Sequence, residues 1–239
     1  DHVEDVLEQQ RAFVADASHQ LRNPLSALLL RIELLALELP EDNEEIASVR
    51  TEGKRLAQVL DDLLDLALAE HAEAELCLTD IGELARERLA AWAPAAEAKG
   101  VLLTGDCPAT TGWADPIALS SALDAVIDNA VKFTPEGGRV EVTVSFDGDT
   151  AKVVVTDTGP GLTDEELARV GDRFWRSGRH QNVKGSGLGL SITRALLAAG
   201  GGSIEYGRHE PRGLRVTVSV PRHAEGAGAD ERAVRTLRA

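Results

Sequence analysis

His19 lies in the run FVADASHQLRNPL, and three elements follow far downstream: the Asn-Ala-x-Lys element DNAVKFT at 128–134 and two glycine loops, DTGPGL at 157–162 and GSGLGL at 185–190. A neutral imidazole is a nucleophile, and the later elements supply what it could attack. Asn129 and Lys132, three positions apart, share a helix face. The amide carbonyl suits a hard cation, and the ammonium is a point charge for phosphate. Asp157, ahead of Gly159 and Gly161, is a carboxylate that can accept a hydrogen bond from an exocyclic amine such as that of adenine, and the glycines let backbone approach a ligand. Gly185, Gly187 and Gly189 open an apolar helical run, so free N–H groups and the helix dipole face an anion there. A lone DxGxG is usually a turn, a lone histidine means little, and GSGLGL is no dinucleotide fingerprint because no strand precedes it. In this order and at these spacings they read together as a histidine that accepts a phosphoryl group and a pocket for the nucleotide that donates it.

The elements that must position these groups fall into two parts. Val3, Leu7, Gln10, Val14, Ala17, Leu21, Leu25, Leu28, Ile32 and Leu35 form a heptad seam, widened by Leu29, Leu30 and Leu34. Pro40 to Asn43 breaks it, and Ile46, Val49, Gly53, Leu56, Leu60, Leu63 and Ala67 form a second seam. Helices of about 30 residues, roughly 45 Å long, cannot bury two such stripes by themselves. A dimeric four-helix bundle solves this; the competing solution docks both stripes on the remainder of the chain. Pro24 removes a backbone hydrogen bond within the first helix and predicts a kink there.

From about Leu76 the pattern changes. Helices are expected at 80–99, capped by Asp80, and at 116–132, capped by Asp115 with Pro116 in the first turn. A strand is expected at 101–104, a hairpin at 140–146 and 151–156, a capping box at Thr163, a helix at 188–199 and a last hairpin at 203–206 and 214–220. Residues 172–184, rich in Arg, Ser, Gly and His, read as a lid. Mixed hairpins and helices predict an α+β fold, an α/β sandwich behind the helical hairpin. The expected division is 1–74, 75–222 and a disordered tail at 223–239.

Composition bounds the function. The 239 residues carry a formal net charge of −15 and are 43% hydrophobic but only 3% aromatic. Such a surface repels nucleic acid, so none is expected as a partner. Two cysteines show no metal-ligand spacing, and no run of about 18 apolar residues occurs. No direct membrane contact is expected. The chain starts without Met inside a helical pattern, which reads as a piece of a longer protein.

These motifs resemble the cytoplasmic core of bacterial sensor histidine kinases over roughly residues 8–221. FVADASHQLRNPL is similar to the family's H-box, DNAVKFT to the N-box, DTGPG to the G1-box, DRFWRS to the F-box and GSGLGLSI to the G2-box. The resemblance implies a homodimerising histidine phosphotransfer hairpin and a catalytic domain of the GHKL ATPase type, with ATP and Mg²⁺ as cofactors and a cognate response regulator as partner. It makes His19 the phosphoacceptor, Asn129 the Mg²⁺ ligand, Lys132 a phosphate contact and Asp157 the holder of the adenine amine. Gly159, Gly161, Gly185, Gly187 and Gly189 shape the loops, Phe174 anchors the lid and Arg176 reaches the phosphates. Phe133 and Leu188 join the nucleotide-binding set through the same motifs. A cytoplasmic location is implied, with the intact protein anchored in the membrane by a preceding part.

Two positions, Gln20 and Ala125, depart from the family pattern, and a third, Asn23, follows it in a way that bears on function. Gln20 stands where a carboxylate usually follows the histidine; it can set the imidazole tautomer but cannot take a proton. Gln20→Glu is therefore expected to accelerate autophosphorylation, and an unchanged rate in a folded variant would contradict this. Asn23, one helical turn after His19, is the family's phosphatase position, where an amide orients water. Ala125 stands where the family usually has a second N-box Asn and where gyrase-type ATPases carry a Glu that activates water; Ala cannot do so, which speaks against ATP hydrolysis for its own sake. Gln20 and Ala125 also support an alternative, a nucleotide-binding dimeric scaffold or phosphatase-dominant regulator with weak kinase activity.

Overall fold

The computed structural model describes residues 20–37, 44–70, 72–178 and 186–223. His19, Gly185, the 38–43 connection and residues 224–239 of the expected tail lie outside them.

The first part is a pair of antiparallel helices, α1 (20–37) and α2 (Glu44–Ala69). Their register is read from the side chains that cross between them. Arg22 meets Asp61 at 2.7 Å, and Glu33 meets Lys54 at 2.9 Å and Arg50 at 3.4 Å. These exposed pairs add little stability each, yet they fix which residues face each other. Between them the helices touch at Gly53, where a Cβ would stand 2.9 Å from Leu29 Cδ2. α1 is helical without a break across Pro24. Among the described residues of the pair, only Ile32, Leu64, Leu66 and Ala69 are buried apolar side chains. Leu28 is 52% exposed, Leu35 49% and Leu56 57%. The docking alternative thus applies only to the end of α2, which packs on α6 (Gly189–Ala199) through Leu66 and Ala69; most of the stripe stays open within one chain.

The second part is a two-layer α/β sandwich. Its sheet has the order β2 (Leu102–Asp106), β4 (Arg139–Asp147), β5 (Thr150–Asp157), β7 (Leu214–Pro221), β6 (Ser203–Arg208). All neighbours are antiparallel except β2 and β4, which the chain joins through the helix at Pro116–Phe133 and which therefore run parallel. A separate two-stranded ribbon pairs β1 (Cys77–Asp80) with β3 (Thr111–Ala114). Alternate residues Val140, Val142 and Val144 of β4 are buried, as period-two patterning requires of a sheet with one covered face. Against them pack α3 (Ile81–Ala98) and α4 (Pro116–Phe133), the latter through Leu119, Leu123, Val126, Ile127 and Ala130 at helical spacing.

The expected caps are in place. Asp80 accepts from Glu83 N–H at 3.0 Å, and Asp115 accepts from Ile117 and Ala118 N–H at 2.9 and 3.1 Å, with Pro116 first in the helix. Thr163 and Glu166 close a capping box on α5, a single turn at Asp164–Leu167. The β4–β5 turn uses Gly148 at φ 57. Three features were not expected from sequence: strands β1 and β3, and the parallel β2–β4 pair, which the hairpin signals did not suggest. No described helix is long and apolar enough to cross a membrane.

Candidate functional site

The C-terminal half of α4, the end of β5 with the loop after it, and the start of α6 (Gly189–Ala199) surround a cavity of about 470 Å³. Asn129, Lys132 and Phe133 line it from α4, and Asp157 and Gly161 from the β5 end. Arg176 lines it from the lid side, and Gly187 and Gly189 from the α6 end. Expected residues up to 60 positions apart, from Asn129 to Gly189, thus meet around one space.

Asp157 is the best-defined group. It is 6% exposed, and its Oδ1 accepts from Gly159 N–H at 2.8 Å and Leu214 N–H at 3.3 Å. Burial pushes its carboxyl above the ordinary carboxylate range, against the pull of those two N–H groups and of His209. No protein donor reaches Oδ2 among the described residues, so that oxygen is available to a donor in the cavity. Gly159 itself lies behind the wall: a Cβ there would stand 2.8 Å from Asp157 Oδ1 and 2.9 Å from Phe133 O. Glycine is thus required for the close approach of this loop to both α4 and the carboxylate.

Lys132 is ion-paired with Asp128 one turn before it. Lys99 donates to the carbonyls of Val131, at 2.7 Å, and Lys132, placing a cation at the carbonyl end of α4. At α6 the opposite end is open. Leu188, its N-cap, gives no side-chain cap, whereas α3 and α4 are capped by aspartates. Leu188 is fully buried, with its N–H on Ser186 Oγ at 3.1 Å, so it shapes the loop from behind the cavity wall. The uncapped N–H groups and the dipole favour an anion at the glycine end, an effect of about 0.3–1 kcal/mol at exposed sites and up to ~2 kcal/mol when partly buried.

Four carboxylates, Asp62, Asp128, Asp157 and Asp172, line the cavity against the cations Lys132 and Arg176. Among these charges the Asn129 amide oxygen is a neutral ligand of the kind that suits a hard divalent cation. Ala125 also lines the wall, one turn before Asn129, with a methyl in place of a further polar ligand.

Other expected residues sit elsewhere. Gln20 and Asn23 are exposed on α1 and do not line the cavity. Phe174 is 53% exposed, has φ 61 and lies outside the wall; its neighbour Trp175 lines the cavity instead. Sequence reasoning missed Trp175, Ser177 and Leu214 in the wall. It also missed Gln58 and Asp62, by which α2 closes one side of the cavity. Asp128 had a readable signal, its i, i+4 spacing to Lys132, and Trp175 and Ser177 lie inside the DRFWRS run.

Two known families match successive parts of the chain. Residues 9–72 match the His Kinase A (phospho-acceptor) domain, and residues 114–224 match the family of histidine kinase-, DNA gyrase B- and HSP90-like ATPases. The chain belongs to the histidine kinases. Sensor protein QseC of Escherichia coli (strain K12) is 33% identical over 223 residues, covering 88% of this chain and 47% of that protein. The signal transduction histidine-protein kinase/phosphatase MprB of Mycolicibacterium vanbaalenii is 32% identical over 248 residues, covering 94% and 49%. This histidine kinase core thus spans about half the length of the curated relatives it matches. Among solved structures, full-length ShkA in complex with AMPPNP aligns with TM-score 0.71 and 31% identity, over 89% of this chain and 46% of that one. The histidine kinase ThkA in complex with response regulator TrrA aligns with TM-score 0.64 over 93% and 64%; at 21% identity it shows the fold alone.

Proposed function

We propose that this chain is the ATP-dependent core of a two-component sensor histidine kinase. ATP occupies the cavity, with its adenine amine on Asp157 Oδ2 and its phosphates between Lys132, Arg176 and the start of α6. Asn129 would hold Mg²⁺, which would offset phosphate charge. A His19 ring nitrogen attacks the γ-phosphorus, the bond to the bridging oxygen breaks, ADP leaves and the phosphoimidazolium gives up its proton. Gln20 sets the tautomer of the ring rather than taking that proton. The phosphoryl group then passes to an aspartate of a response regulator, and Asn23 orients water for the reverse, phosphatase reaction. The division at 1–74 and 75–222 separates acceptor from donor, and the open leucine stripe of α1 and α2 closes against a second copy. The work is cytoplasmic, where ATP is, and the intact protein is anchored in the membrane.

The observation that carries this reading is the buried Asp157 with one oxygen satisfied by backbone and the other left for a ligand, across the cavity from an uncapped helix N-terminus. The phospho-acceptor match over His19 supports the acceptor. Ala125 in the cavity wall favours a second reading, a nucleotide-binding scaffold or phosphatase-dominant regulator with weak kinase activity. Incubation with γ-labelled ATP and Mg²⁺ separates the two. The parent is expected to take up acid-labile, alkali-stable label that His19→Ala loses entirely. Label retained in His19→Ala overturns the acceptor assignment, and nucleotide binding without label favours the scaffold.

A further inference from the structure

Resting on the nucleotide site just proposed, we infer that Glu166 is a positioning residue for the nucleotide, tying the base of the lid to the loop that follows Asp157. Its two carboxylate oxygens serve different elements. Oε2 accepts from Thr163 N–H at 2.9 Å and completes the capping box of α5, immediately after the Gly159–Gly161 turn. Oε1 accepts from Ser177 Oγ at 2.6 Å. Ser177 is 7% exposed, lines the cavity and follows Arg176 and Trp175, which line it too. The same carboxylate therefore joins the adenine side of the cavity to the segment presenting Arg176.

The need for such a tie is local. The backbone between Gly171 and Ser177 includes Phe174 at φ 61, a conformation that a bulky side chain adopts only when its surroundings hold it there. Gly187 packs onto this stretch: a Cβ there would stand 2.9 Å from Phe174 C and 3.0 Å from Trp175 O. On its α2 side the stretch is held by the ion pair of Arg173 with Glu70. On its cavity side Ser177 is held by Glu166. A cap needs only the Thr163 half of the Glu166 carboxylate; the Ser177 half reaches from α5 to the segment that presents Arg176. A short, charge-assisted O–H···O bond from a buried hydroxyl is suited to fixing position.

The test is calorimetric titration of the whole chain with AMPPNP and Mg²⁺, with the melting temperature of each variant. Glu166→Ala and Ser177→Ala are each expected to weaken binding about tenfold, the scale of one charge-assisted hydrogen bond. The double variant should be no weaker than Glu166→Ala alone. Thr163→Ala, which removes the other half of the capping box, should lower the melting temperature and leave affinity unchanged. Glu166→Gln should retain most of the affinity, since its oxygen can accept from Thr163 N–H while its amide donates to Ser177 Oγ. In autophosphorylation, KM for ATP should rise in Ser177→Ala while the rate at saturating ATP changes little. Parent-like affinity in Ser177→Ala overturns the inference. So does a double variant that sums the single losses, because each group would then touch the nucleotide independently. Affinity lost equally in Thr163→Ala would assign the effect to α5 itself and overturn it as well. A parent that binds no AMPPNP overturns the proposed nucleotide site and this role with it.

Discussion

Asp157→Asn is expected to weaken ATP binding by about a hundredfold while raising the melting temperature at neutral pH. The amide keeps an oxygen for the N–H groups of Gly159 and Leu214, now donors to Asp157 Oδ1. Its NH₂ then takes the place of Oδ2 and meets the adenine amine donor to donor. A lost charge-assisted bond together with a buried donor left unmatched amounts to about 3 kcal/mol, or roughly two decades in affinity. A base that offers a carbonyl in place of the amine should lose far less, so the ratio of ATP to ITP affinity should fall in the variant.

The stability effect has a definite sign. Burial raises the Asp157 carboxyl above its ordinary value, so the folded chain holds this proton more tightly than the unfolded chain does. Ionisation therefore opposes folding as pH rises through the raised value, and that loss is absent below the ordinary carboxylate range. The melting-temperature gain of Asp157→Asn should be present at neutral pH and shrink as the pH falls through the Asp157 titration. ATP affinity of the parent should fall over the same interval, because the protonated carboxyl no longer accepts at both oxygens. Isothermal titration and thermal melts across pH read both quantities. Parent-like ATP affinity in the variant would remove the central support for the nucleotide site.

Legibility in the sequence followed the range of the interactions. Asp80, Asp115 with Pro116, and Thr163 with Glu166 act on backbone within three residues, and each begins a helix where local chemistry places it. The glycines after Asp157 and before α6 were readable by type but for a different reason: Gly159, Gly161 and Gly187 are required by close approach to the chain's own backbone. The β1–β3 ribbon joins four-residue strands some 30 positions apart, with neither turn signal nor alternation to mark it. Phe174 was expected to hold the lid on account of its motif, yet Trp175 lines the cavity: with φ 61 at Phe174, the backbone there departs from what an extended or helical reading would assume. Gln58 and Asp62 show the limit most clearly. Nothing in an amphipathic helix says which of its polar residues will face a cavity formed by a different part of the chain.

The stripe on α1 and α2 carries the second large effect. Leu28→Glu combined with Leu35→Glu should convert the chain from dimer to monomer at micromolar concentration, with the helical circular-dichroism signal largely kept. Both leucines belong to the heptad seam, and both remain about half exposed within one chain. Their remaining area is worth about 1 kcal/mol per side chain on burial. In a two-fold interface every substitution counts twice, so the pair removes about 4 kcal/mol, close to a thousandfold in the dimer dissociation constant. Desolvation of the introduced carboxylates adds to this. Glu is a good helix former, so loss of association would not reflect loss of the helix. The core that carries the nucleotide cavity runs from Ile81 to Val220 and shares neither leucine. AMPPNP affinity should therefore persist in the monomer even if phosphoryl transfer to His19 fails. Sedimentation velocity and light scattering on parent and variant read the outcome. A parent that is monomeric, or a variant that dimerises as tightly as the parent, would mean that something other than a second copy covers the stripe. Retained AMPPNP binding alongside lost dimerisation would instead separate the two tasks of the chain: the cavity holds the donor by itself, and the bundle presents the acceptor.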